Sequence, residues 1–311
     1  MATELELKLM VHPTCFDKAV QALDAFCVKE VNAIRQPTLN LMNGYYDTQD
    51  ALLMSSGIAL RVRSVNEEYI QTLKTRGVSR VGMHARGEWE WNVPTDALDF
   101  ELITPDMLPS NLHNKEWQSK IGIVYRTDFE RQIWLIDFAG SKIEVVCDRG
   151  EVTSPYGHDG ISEIEFELKQ GDETSLYQAA LSLAQQVPLQ VCTVSKAQRG
   201  VRLKTPIIEL PDDLPEDAQH FQIGAYWYEV WLTYWEAMVH REDDSLYQEI
   251  ETALLNLQNY LPNELSGKIA YLLTIPERLL DPEKPLFLSL SQDTQMGVSM
   301  LEIGRWLNLQ H

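Results

Sequence analysis

The chain has 311 residues, 44% of them apolar, enough for one large and one small folding unit with a sizeable core. Its formal net charge of −20 argues against a nucleic-acid surface and against a polybasic membrane contact. No apolar run reaches the ~18 residues needed to span a bilayer.

From the N-terminus, residues 1–10 alternate apolar and charged and have no apolar h-region, so they read as a strand and not as a secretion signal. The first strand is expected over Thr3–Val11. A helix follows over Asp17–Val31, with Val20, Leu23 and Cys27 on one face. Further strands are expected at Ile58–Val65, Tyr69–Arg76, Glu88–Val93, Phe129–Phe138, Lys142–Asp148 and Ile161–Lys169. Turn signals stand at Arg149-Gly150 and at Ser154-Pro155-Tyr156-Gly157. A second helix is expected over Thr174–Gln186. Many antiparallel strands with few helices predict a barrel or a sandwich.

Residues 206–217 hold three prolines without periodicity and read as a linker. Helical spacing then runs through Ala218–His240, Asp244–Leu261, Asn263–Leu280 and Ser291–Leu309, which predicts a small bundle. The expected organisation is a β domain over 1–205, a linker over 206–217 and a helical domain over 218–311. Charge divides at the same place. Residues 206–311 hold 18 acidic and 5 basic side chains, whereas 1–205 hold 28 and 21. The four cysteines are far apart with no CxxC, so reduced thiols in a cytoplasmic protein are expected.

The strands carry an unusual pattern. Residues two apart share a face. Glu4, Glu6 and Lys8 therefore lie together opposite Leu5, Leu7 and Leu9. Arg61 lies with Arg63, Thr72 with Lys74 and Arg76, Arg86 with Glu88 and Glu90, and Glu163 with Glu165, Glu167 and Lys169. One such strand is an ordinary solvated face. Five of them, with Glu-x-Glu on some and Arg-x-Arg on another, are not. Two arginines ~6 Å apart repel by about 2.8 kcal/mol at an effective dielectric near 20. A polyanion relieves that cost, and a divalent cation relieves clustered carboxylates. Converging faces of both signs therefore suit a metal–polyphosphate complex.

The histidines show no metal spacing. Trp89 and Trp91 read as packing residues, and the aromatic run Tyr226 to Trp235 reads as helical core.

The ordered set Glu4-Leu-Glu-Leu-Lys8, Tyr45-Tyr-Asp-Thr48, Leu60-Arg-Val-Arg63, Thr72-Leu-Lys74, Arg86-Gly-Glu-Trp-Glu90, Thr127 to Trp134, Ile143 to Gly150, Ser162 to Lys169 and Ser195 to Gly200 resembles the CYTH superfamily of triphosphate tunnel metalloenzymes. The likeness covers essentially residues 1–204 and is greatest to bacterial inorganic triphosphatases that carry a helical C-terminal extension. It implies an eight-stranded antiparallel barrel closed into a tunnel, mainly β, followed by the small all-α domain. By position, it implies Glu4, Glu6, Asp148, Glu163 and Glu165 as ligands of Mg²⁺ or Mn²⁺, the last three from the far wall. It implies Lys8, Arg61, Arg63, Lys74, Arg131 and Lys196 as holders of the phosphates; the attacking water is expected at a second metal or beside Lys8 or Lys196. Glu88 and Glu90 are expected to line the tunnel, with Glu167, Arg76 and Arg126 as lesser candidates. The extension departs from the CHAD domain often found there: it is shorter and acidic.

The expected activity is hydrolysis of inorganic triphosphate to pyrophosphate and phosphate, with a small-molecule substrate and no nucleic-acid or membrane partner. Alternatives are an adenylyl cyclase or a thiamine triphosphatase of the same superfamily, or a non-catalytic polyphosphate-binding module.

Overall fold

The computed structural model describes residues 2–30, 32–75, 78–278 and 284–310. Arg76 and the side chains of Glu4 and Arg86, all singled out above, lie outside the described set. The strands are β1 (Ala2–Val11), β2 (Asn32–Arg35), β3 (Leu39–Asp47), β4 (Ile58–Val65), β5 (Glu68–Thr75), β6 (Val78–Arg80), β7 (Met83–Val93), β8 (Gly122–Phe138), β9 (Ser141–Ser154), β10 (Gly157–Gln170) and β11 (Leu189–Val191). The helices are α1 (Phe16–Glu30), α2 (Leu52–Ser55), α3 (Thr174–Ala184), α4 (Lys196–Lys204), α5 (His220–Arg241), α6 (Tyr247–Leu257), α7 (Asn263–Arg278), α8 (Leu286–Ser291) and α9 (Thr294–Asn308).

Antiparallel pairing runs β1–β10–β9–β8–β3–β4–β5–β7, and β7 returns to β1 through Glu4↔Arg86 and Leu7↔Met83. Eight strands therefore close on themselves, which leaves the barrel itself without an open edge. Three short strands attach outside the ring: β2 on β8, β6 on β7 and β11 on β1.

Alternation then sorts the side chains. Leu7, Leu9, Ile164 and Phe166 point outward into a core with α1 and α3, while Glu6, Lys8, Glu163 and Glu165 point inward. The same core continues into the C-terminal helices, where Tyr228, Trp231, Trp235 and Met300 are fully buried. Each such side chain contributes roughly 1.5–3 kcal/mol relative to exposure. The linker is thus a break in secondary structure, and the core runs across it. A second cluster joins Tyr45, Tyr125, Phe129 and Ile161 to Ala197 of α4 at one end of the barrel. A third packs Trp89 and Trp91 with Trp117 and Leu112 under the 3-10 turns of 100–119.

Several elements differ from expectation. Arg149-Gly150 is no turn but the middle of β9, opposite Glu130 and Phe129. A Cβ on Gly150 would stand 2.1 Å from the Asp128 carbonyl oxygen, so the glycine serves close strand approach. The turn is at Pro155-Tyr156, as its residues indicate. The last predicted helix corresponds to α9, which Asp293 caps by accepting from the Met296 N–H, and the short α8 before it was not expected.

Candidate active site

Three adjacent strands build the acidic wall. Register sets Lys8 of β1 beside Glu165 of β10, Glu163 beside Asp148 of β9, and Asp148 beside Arg131 of β8. Asp148, Glu163 and Glu165 thus share a wall with Glu6 and Lys8 and do not face them from the far side. The reason is topological: β1 pairs directly with β10, which spacing along the chain does not reveal. Asp148 and Glu163 are 0% exposed and Glu165 9%.

Cations interleave with these carboxylates. Lys8 Nζ donates to Glu165 Oε1 at 2.6 Å and to Glu163 Oε1 at 3.4 Å. Lys196 opens α4, whose N-cap Ser195 forms a capping box with Gln198. The Lys196 ammonium enters from the barrel end, 2.6 Å from Asp148 Oδ2 and 3.0 Å from Glu165 Oε1, and it also contacts Glu163. Arg131 grips Asp148 with two bonds of 2.8 and 2.6 Å and donates to Glu165 at 2.9 Å. Burial pulls Lys8 and Lys196 down, but the carboxylates outweigh it and hold both above their ordinary values. For Asp148 and Glu165 burial acts upward, and the cations hold both below the ordinary carboxylate range.

The basic wall stands on β4 and β5. Arg61 Nη2 lies 3.9 Å from Glu88 and 3.8 Å from Glu90, and Lys74 Nζ lies 3.1 Å from Glu88. Arg63 differs: its Nε donates to Asn43 Oδ1 at 2.9 Å, and no carboxylate among the described residues pairs with it. Burial, with Arg61 and Arg131 beside it, pushes its guanidinium down to about 9. Burial raises the Tyr45 phenol, yet Arg61, which donates to it at 3.4 Å, brings it below its usual value together with Arg63 and Lys74. The lowered Tyr45 phenol marks the excess of positive charge on this wall, and for Arg63 burial acts together with its cationic neighbours.

A cavity of about 1320 Å³ is lined by Glu6, Lys8, Arg61, Arg63, Arg131 and Lys196 and continues along the linker to α5. Glu88 and Glu90 also line it, as expected. Glu167 lies toward one mouth against Lys169, at 2.6 Å, and Arg126 faces outward and is exposed.

Three further residues had no role assigned from sequence. Arg199 backs Glu163 at 3.4 Å, Tyr45 joins the basic wall, and Glu236 of α5 holds the loop before α4. The first two lie inside quoted motifs, and the Ser195-x-x-Gln198 signature could have marked α4. Nothing in the spacing points to Glu236.

Oxygens of Asp148, Glu163 and Glu165 lie within 4.8 Å of one another. Glu163 Oε2, fully buried, makes no hydrogen bond among the described residues and has the Arg199 guanidinium 3.4 Å away. An all-carboxylate oxygen set of this kind is the donor type that a hard divalent cation such as Mg²⁺ or Mn²⁺ takes. Glu6 lies outside that triad.

A closed antiparallel barrel whose interior interleaves carboxylates with ammonium and guanidinium groups defines a tunnel fold lined by charge of both signs. The chain belongs to the CYTH family: the CYTH domain model matches residues 2–201. An inorganic triphosphatase of Haemophilus influenzae is 35% identical over 208 residues, which are 65% of this chain and 55% of that protein's length. The chain is also similar to the solved structure of a Hippeastrum protein described as a putative adenylyl cyclase with a dominant triphosphatase activity. That match has 19% identity and a TM-score of 0.42, over 70% of this chain and 100% of that one. A putative adenylate cyclase of Bacillus halodurans matches at 18% identity and a TM-score of 0.40, over 64% and 98%.

Proposed function

We propose that the protein hydrolyses inorganic triphosphate to pyrophosphate and phosphate with Mg²⁺ or Mn²⁺. The observation that carries this reading is the charge arrangement of the cavity. Glu6, Glu88, Glu90 and Glu165 line it together with Lys8, Arg61, Arg63, Lys74, Arg131 and Lys196, and Asp148 and Glu163 stand buried against Lys196. A divalent cation relieves the crowded carboxylates and a polyphosphate relieves the crowded guanidiniums, so a metal–triphosphate complex answers both kinds of charge at once. The curated relative's name supports the same class of substrate.

Asp148, Glu163 and Glu165 would hold the ion, with Glu6 beside them and Glu4 on the same strand face. Bound there, it supplies positive charge to phosphate oxygens as a hard Lewis acid. The chain's own residues do the rest. Arg61, Arg63 and Lys74 take the phosphate chain from one side and Arg131 from the other. They neutralise charge as the terminal bridging P–O bond breaks and water oxygen bonds to the terminal phosphorus. Lys8 and Lys196 stay protonated at neutral pH, so they donate to phosphate oxygens and orient water; neither accepts a proton from it, and the water's protons leave on the phosphate product.

A phosphate-release screen of tripolyphosphate, ATP, thiamine triphosphate and longer polyphosphate tests this, with Mg²⁺ or Mn²⁺ and with a chelator. The expected result is a kcat/KM highest for tripolyphosphate, lost in chelator. Cyclic AMP among the products would move the protein to a cyclase. Hydrolysis of none of the four would leave a binding module.

A further inference from the structure

We propose that Glu236, on α5 beyond the linker, is a positioning residue for Lys196, so that the C-terminal helices complete the site; the catalytic part of this rests on the function proposed above. Glu236 is 2% exposed on a helix whose other buried residues are largely apolar. A carboxylate so placed is tolerated only when partnered, and its partners all belong to one stretch of the chain. Glu236 Oε2 accepts from the Val194 N–H at 3.1 Å. Its Oε1 accepts from Arg202 Nη1 at 3.4 Å and from the Cys192 thiol at 3.6 Å. Burial, with Glu236 beside it, pushes that thiol up to about 12 and keeps it a donor.

These contacts bracket α4. One falls two residues before Lys196, and another six residues after it. On the opposite side α4 is pressed against the barrel: Gly200 packs on the Tyr125 ring, and Arg202 donates to Asp159 of β10 at 2.7 Å. His240, one turn along α5 from Glu236, lies 3.6 Å from that same Asp159 carboxylate. The helix carrying Lys196 is therefore clamped between barrel and α5. Contacts of 2.6–3.0 Å from Lys196 Nζ to two carboxylates tolerate little displacement of its backbone.

The test compares Glu236→Ala with Glu236→Gln, whose amide oxygen still accepts from Val194. The first readout needs no substrate: acylation of individual lysines, followed by peptide mass spectrometry. Exposed Lys142 serves as reference, and Lys8, buried on β1, reports general loosening. In Glu236→Ala, Lys196 should react about tenfold faster while Lys8 and Lys142 keep their wild-type rates; Glu236→Gln should stay close to wild type. The second readout is tripolyphosphate hydrolysis. Glu236→Ala should lower kcat by up to about a hundredfold, and it should cost nothing further in a Lys196→Ala background. Unchanged Lys196 reactivity in Glu236→Ala overturns the proposal, as does equal acceleration of Lys8. Additive losses in the double variant overturn it too. If Lys196 is released as expected but the wild type hydrolyses nothing, the positioning stands and the triphosphatase reading fails.

Discussion

Arg63 is the side chain whose charge the barrel answers least. Arg61 and Lys74 face glutamates and Arg131 grips Asp148, while Arg63 has Asn43 and two neighbouring cations. Removing an uncompensated charge from a partly buried site costs little or stabilises. Arg63→Met is therefore expected to leave the melting temperature of the ligand-free protein unchanged or higher. A charge-assisted phosphate contact is worth about 1.5–3 kcal/mol, so tripolyphosphate with Mg²⁺ should bind the variant roughly ten- to a hundredfold more weakly. Differential scanning fluorimetry with and without ligand measures both. A large drop in the ligand-free melting temperature would mean that Arg63 is structural. At this scale most of the site was legible in the sequence, because alternate charges on a strand must share a face. Partners were not: whether Glu6 stands beside or across from Glu165 depends on which strands pair, and 157 residues separate Lys8 from its bond to Glu165.

The same limit appears in the elements. Long alternating strands declared themselves, as β4 did to the residue. β3 did not, because Asn43 and Gly44 interrupt its apolar pattern; its Tyr45 and Asn43 still matter to the basic wall. α4 was missed because nine residues, one of them glycine, give too short a periodic window. That glycine supplies a prediction. In a helix interior alanine is favoured over glycine by about 1 kcal/mol, yet a Cβ at Gly200 would stand 2.2 Å from the Tyr125 ring. Overpacking of this kind costs about 1–3 kcal/mol. Gly200→Ala should thus lower the melting temperature by up to roughly 8 °C, against its helix propensity. A rise would show that α4 has slack against the barrel.

Over the whole molecule, the prolines of 206–217 and the jump in acidity predict two folding units, but the packing joins them. Trp231 and Trp235 share one core with Leu7 and Phe166. α9 lies so close to β11 that a Cβ on Gly297 would stand 1.5 Å from the Leu189 carbonyl oxygen. Cutting the chain after Thr205 would expose that face. We expect the shortened protein to aggregate or to melt without a sharp transition. The full chain should show one calorimetric transition whose enthalpy equals its van't Hoff value. Two resolved transitions, or a shortened protein as stable as the whole, would establish independent units. Composition could not reveal the shared core, since an aromatic stripe looks alike whether it packs on another helix or on a sheet.

Ring closure through β1 also bears on how the protein comes into being. β1 leaves the ribosome before both of its ring partners: it can pair with β7 first but must wait for β10 to seal its other side. At about 5–20 residues per second, synthesis of the intervening ~150 residues takes roughly ten to thirty seconds. Through that interval Leu7 and Leu9 lack the cover that α3 and the C-terminal helices later provide. Folding of the ring is therefore governed by the arrival of β10 and of the helices that follow it.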